Sequence, residues 1–100
     1  MVKHIIIWKL KDEYSPSEKA QIMLEIKEGL EGLMGKIPGL TDIKVQIESL
    51  ESSNGDLMLD STFESEEALK AYAIHPAHVE VADTKVRPFT QSRSCLDFEI

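Results

Sequence analysis

An α+β fold, with one antiparallel four-stranded sheet and helices on a single face, follows from three features of the sequence. Segments of period-two apolar alternation and segments of helical apolar spacing succeed one another in the order β-α-β-β-α-β. Each junction carries its own cap or turn residues. The length of 100 residues suits one domain spanning 1–100, without repeats, low-complexity tracts or an internal linker.

Residues 2–10 read as the first strand, rich in β-branched and aromatic side chains. Val2, His4, Ile6, Trp8 and Leu10 share one face, and Ile5 and Ile7 take the other. A strand apolar on both faces has something packed on both. Ser15-Pro16-Ser17-Glu18 opens a helix, with Ser15 as N-cap, Pro16 at the first helical position and Glu18 completing a capping box. Ile22, Met23, Ile26, Leu30, Leu33 and Met34 then recur on one arc, and Gly35 is the expected stop. Gly29, at the edge of that arc, reads mainly as a cost to helix stability.

Residues 41–49 alternate with Ile43, Val45 and Ile47 inward, and residues 57–63 resume with Leu57, Leu59 and Phe63 inward. Between them Asn54-Gly55 is the strongest short hairpin signal in the chain. Ser65 caps a second helix whose inner face is Leu69, Tyr72 and Ala73. His75-Pro76 ends it, because a residue before proline is pushed out of the α region. A further helical stretch is expected from Ala77 to about Val86, closed by Pro88. Residues 90–99 form the last strand, with Leu96 and Phe98 on one face and Arg93, Cys95 and Asp97 on the other. That order of elements is the ferredoxin-like arrangement.

The formal net charge is −7, and no basic stripe is present, which argues against a nucleic-acid partner. The apolar run Ile5–Trp8 is far too short for a signal segment or a membrane span, so a cytoplasmic location and no membrane partner are expected. Cys95 is the single cysteine, so no disulfide closes within the chain, and it reads as a small buried residue without a neighbouring positive charge.

No nucleophile elbow, P-loop, dinucleotide fingerprint or zinc-protease motif appears. The chemistry-bearing cluster is Tyr72-x-x-His75-Pro76-Ala77-His78, with His4 on the helix-covered face of the first strand. Neutral imidazole accepts a proton near neutral pH, and a tyrosine hydroxyl donates to a carbonyl or developing enolate. His75, before proline, reads foremost as a backbone cap, whereas His78 suits a cap or a base equally. His4 and Tyr72 also fit a hydrogen-bonded core. Zinc is disfavoured, because His75 and His78 stand at i and i+3 across a proline break and no carboxylate of definite placement completes a set. Trp8, Phe63, Met23, Met34 and Met58 read as core or interface filling.

The segments Val-Lys-His-Ile-Ile-Ile-Trp-Lys-Leu-Lys at 2–11, Ile37-Pro38-Gly39-Leu40, Phe63-Glu64-Ser65 and Tyr72-Ala-Ile-His75-Pro76-Ala77-His78-Val79 resemble the stress-responsive α/β barrel (Dabb) domain family. The likeness runs over nearly the whole chain. It implies a dimeric α+β barrel, in which two ferredoxin-like subunits pair their sheets face to face and each covers its other face with its own helices. A plant member of the family is a polyketide cyclase that closes a poly-β-keto chain by intramolecular aldol condensation without a cofactor. By that resemblance Tyr72 and His78 occupy the catalytic positions and His4 lines the pocket. The pocket histidine that the cyclase carries on its third strand falls on Leu57, which makes the pocket more apolar.

The expected protein is therefore a homodimer through the outer sheet face. It has a small apolar pocket between sheet and helices, bordered by His4, Trp8, Leu57 and His75, for an apolar or aromatic small molecule. No cofactor or metal is expected. The alternatives are a cyclase-like enzyme, with His78 as base and Tyr72 as hydrogen-bond donor, and a purely structural dimer.

Overall fold

The computed structural model describes residues 1–100. Its elements are β1 (Val2–Leu10), α1 (Pro16–Glu31), β2 (Leu40–Gln46), β3 (Leu57–Phe63), α2 (Glu66–Ile74), α3 (Pro76–Val81) and β4 (Thr90–Glu99). The strands form one antiparallel sheet in the order β2-β3-β1-β4. This is the ferredoxin-like α+β arrangement, with the sequence-distant β1 and β4 side by side.

The caps form as their chemistry requires. Ser15 Oγ accepts from the Glu18 N–H at 3.2 Å, and the Glu18 carboxylate accepts from the Ser15 N–H at 2.8 Å. Ser65 caps α2 by accepting from the Ala68 N–H at 3.1 Å. β1 buries Val2, His4, Ile6, Trp8 and Leu10 toward the helices. Of these, Ile6, Trp8 and Leu10 join Ile26 and Leu30 of α1, Leu59 and Phe63 of β3 and Tyr72 of α2 in the main core.

Four local expectations are corrected. Helix α1 ends at Glu31, not near Gly35, because glycines at 29 and 32 weaken its last turns. The chain continues in tighter turns that keep Leu33 buried but swing Met34 out to 48% exposure. Gly29 admits a close neighbour: a Cβ there would stand 3.0 Å from Val81 Cγ1 of α3. Asn54-Gly55 is no tight hairpin turn, since Gln46 and Leu57 bound a long connection and positive φ occurs only at Gly35 and Gly39. Gly55 is instead a point of close approach to β1, where a Cβ would fall 2.5 Å from Ile7 Cγ2. Asp56 beside it ties the connection down, its N–H donating to the Trp8 carbonyl at 2.8 Å and its carboxylate accepting from the Leu10 N–H at 2.7 Å. Finally, Ala73 on α2 is exposed at the protein surface, while Ala68 and Leu69 pack beside Tyr72 against the core.

After α3 the backbone widens into a π turn over Ala82–Val86, closed by the Arg87 N–H on the Ala82 carbonyl at 2.8 Å. Ala82 and Val86 are buried there.

The two sheet edges differ. On β2, Val45 donates its N–H to Glu31 at 2.9 Å and accepts from Lys27 at 2.8 Å, and those two α1 side chains pair at 2.7 Å. Burial opposes ionisation of Glu31, but the Lys27 ammonium and the Val45 N–H outweigh it and hold the carboxyl below the ordinary range. The β4 edge carries no such cover, and β4 is exposed from Gln91 to Glu99. The sheet face away from the helices exposes Leu96 (64%), Ile7 (45%) and Phe98 (41%).

Candidate functional site

Between the sheet and the α2–α3 segment lies a cavity of about 830 Å³. Its apolar wall includes Ile6, Trp8, Leu59, Leu69 and Val86, and its polar lining comes from His4, Tyr72, His78, Cys95 and Asp97. Lys70, Arg87 and Arg93 add positive charge, and Glu66 and Glu99 add negative charge.

The proline break places the histidines. Pro76 opens α3, and His75 stands at once at the end of α2 and the start of α3, its Nδ1 accepting from the Ala77 N–H at 3.1 Å. The changed helix direction folds His78 back onto Tyr72, with ring centroids 4.1 Å apart and planes at 35°. His78 Nδ1 donates to the Ala73 carbonyl at 3.3 Å. Because a carbonyl oxygen only accepts, this bond assigns the proton to Nδ1 and leaves the lone pair on Nε2.

Burial lowers the His78 pKa below the ordinary imidazole value, with Arg87, His4 and Arg93 adding to it and the Ala73 carbonyl opposing. The folded chain thus favours neutral His78. Between its folded and unfolded pKa values the unfolded chain binds the extra proton, so stability rises with pH through that window. The contribution is lost as pH falls through the folded value. An NMR titration of the His78 ring is expected to give a midpoint below about 6.5, the free imidazole value; a midpoint above it would contradict a desolvated ring.

Tyr72 is 1% exposed, and its hydroxyl is buried without a hydrogen-bond partner. Its ring is held by Phe63 at 4.9 Å and by His4 at 6.1 Å. Burial drives its pKa far up, only weakly countered by Arg93, so the hydroxyl stays protonated and acts as a donor. On the opposite wall His4 Nδ1 faces Asp97 Oδ1 at 2.5 Å.

Of the residues singled out in the sequence, His4, Trp8, Tyr72 and His78 border this cavity; Leu57 and His75 do not. Leu57 pairs with Trp8 across β1–β3 and is spent in the core at 4% exposure. The His75 ring is turned to its capping bond. Cys95 is exposed rather than buried, because it lies on the uncovered edge strand. Arg93 acts on its thiol, but partial desolvation and Asp97 prevail and raise its pKa.

Asp97 supplies the placed carboxylate that residue spacing did not reveal. The β1–β4 register sets His4 opposite Asp97 and Ile6 opposite Cys95, so one face of β4 delivers both polar groups to His4. The alternation of Arg93, Cys95 and Asp97 was the available signal; the pairing of β4 with β1 turns it into a site.

The chain matches the model of the stress-responsive A/B barrel domain family over residues 2–100. It is 30% identical over 100 residues to olivetolic acid cyclase of Cannabis sativa, covering 97% of this chain and 94% of that protein. It is 38% identical over 82 residues to the stress-response A/B barrel domain-containing protein HS1 of Arabidopsis thaliana, covering 81% and 73%. Among solved structures, a dimeric ferredoxin-like protein of unknown function from Bacteroides fragilis superposes with a TM-score of 0.92 at 33% identity, covering 99% of this chain and 95% of that one.

Proposed function

The chain belongs to the stress-responsive A/B barrel (Dabb) domain family, and from that premise we propose that it is a homodimer whose subunits each bind a small, largely apolar, carbonyl-bearing molecule in the cavity between sheet and helices. The carrying observation is that Tyr72 lines that cavity and its hydroxyl is buried with no partner in the protein. A buried donor left unpaired costs about 1–3 kcal/mol, and a ligand carbonyl relieves that cost. Self-association is supported by the exposed Ile7, Leu96 and Phe98 on the outer sheet face and by the dimeric Bacteroides fragilis relative.

Trp8 is the only tryptophan and lines the cavity, so it is a built-in reporter. Titration with aromatic ketones is expected to quench its fluorescence saturably. Ala73→Phe, at an exposed helix position that also borders the cavity, is expected to abolish that quenching while the fold is kept. No saturable quenching by any compound, or quenching indifferent to Ala73→Phe, would defeat the proposal.

A second reading is favoured by the free Nε2 of His78 beside the Tyr72 ring and by the cyclase relative. In it, Nε2 removes a proton from a carbon between two carbonyls. Tyr72 donates a hydrogen bond to the oxygen that gains the charge, and the enolate carbon attacks a second carbonyl of the same chain. The resulting alkoxide takes a proton back, giving the aldol, and loss of water completes the ring. Mass spectrometry of an incubated linear poly-β-keto compound separates the readings: recovery unchanged means binding alone, and a product lighter by one water means cyclisation. His78→Ala is expected to remove that product and leave the melting temperature within a few degrees.

A further inference from the structure

We propose that His4 Nδ1, Cys95 Sγ and Asp97 Oδ1 form a binding site for a zinc-class divalent cation, with one coordination position left toward the cavity. The three residues lie on adjacent strands in a fixed register, and all three border the cavity. Their donor atoms lie within 4.8 Å of one another. Sγ stands 3.5 Å from Asp97 Oδ1 and 3.8 Å from His4 Nδ1. Ligands at the usual zinc distances of about 2.0–2.3 Å in a tetrahedron are separated by about 3.4–3.6 Å, so two of the three edges are nearly those of a metal site.

The third edge, 2.5 Å between Nδ1 and Oδ1, is that of a shared proton rather than a shared cation. A cation replaces that proton after Asp97 shifts outward by under 1 Å. The Asp97 side chain is 44% exposed, so this movement meets little packing. His4, with its side chain 9% exposed and its ring against Phe63 and Tyr72, supplies the rigid ligand.

The charges also suit a dication. Thiolate and carboxylate together neutralise it, within a chain whose formal net charge is −7. Arg93 is the opposing cation, and the metal itself must displace the thiol proton. On binding, the Cys95 thiol gives one proton to solvent, and the proton between Nδ1 and Oδ1 passes through solvent to Nε2, which frees Nδ1 for the metal and leaves the imidazole neutral. A nitrogen, a sulfur and an oxygen donor select a zinc-class ion over magnesium or calcium. Three protein ligands leave a position for water or a ligand oxygen, as in catalytic rather than structural zinc sites. Tyr72, which lines the same cavity with its ring 6.1 Å from that of His4, keeps a buried, unpartnered hydroxyl, which points to a polar occupant in this region.

The test needs no organic ligand, so its outcome is separate from that of the binding experiment above. Cobalt(II) added to the chelator-treated full chain is expected to bind one per chain, with the visible bands of a tetrahedral ion and a near-ultraviolet sulfur-to-cobalt charge-transfer band. Zinc(II) displaces it. Cys95→Ser, at an exposed position, removes the charge-transfer band; it and Asp97→Asn each weaken zinc binding about 100-fold or more. His75→Asn, which keeps a helix-capping side chain, leaves binding unchanged. Absence of one-to-one binding up to about 1 mM metal, corresponding to about −4 kcal/mol, overturns the proposal. So does binding that survives Cys95→Ser with the charge-transfer band intact.

Discussion

Tyr72→Phe is expected to yield a protein that is more stable when empty and binds its ligand worse. For most buried tyrosines, loss of the hydroxyl destabilises, because a protein partner is orphaned. Here the hydroxyl is itself the orphan. Removing it relieves about 1 kcal/mol of unpaired burial and raises the melting temperature by about 4–8 °C. The ring contacts with Phe63, His4 and His78 are kept. Affinity for a carbonyl ligand falls about tenfold, equivalent to one hydrogen bond of about 1.4 kcal/mol. Thermal denaturation and Trp8 quenching read the two effects independently. A less stable variant with unaltered affinity would assign the hydroxyl a structural role.

The second large effect is expected on the outer sheet face. Lysine at both Ile7 and Leu96 is expected to convert a dimer into a folded monomer, read by light scattering at micromolar concentration. Both positions are exposed in the subunit, at 45% and 64%, so the subunit core is untouched. The dimer buries these two positions on both copies, four side chains each about half exposed beforehand, together worth about 3–6 kcal/mol, and their loss shifts dissociation about 10²–10⁴-fold. Adding two like charges on the same face increases the shift. A parent chain that already runs at monomer mass would refute the dimer.

The sequence carried the fold well where a boundary has local chemistry: Ser15 with Glu18, Ser65, and His75 before Pro76. What it concealed is non-local. Gly55 reads as a hairpin residue until the close approach of Ile7 is seen. Gly29 reads as a weak helix position until Val81 stands against it. The same holds at the candidate site. Tyr72 and His78 announce themselves as a short motif, whereas Asp97 and Cys95 meet His4 across more than ninety positions of chain. Their partnership exists only in the strand register. Exposure of Cys95 was equally hidden, since alternation assigns a residue to a face but not to a central or an edge strand.

The bonds from Lys27 and Glu31 to Val45 also bear on how copies of this chain can aggregate. A strand arriving at the β2 edge finds the Val45 N–H and carbonyl already engaged, while the β4 edge is open. Strand addition is therefore hindered at the Val45 end of β2. Two sheets joined through their β4 edges would present the guarded Val45 on each outer side, which disfavours growth as a fibre. Acid weakens that protection only below the ordinary carboxylate range: Glu31 loses its charge as pH falls through its lowered pKa, and its hold on the Val45 N–H then loosens.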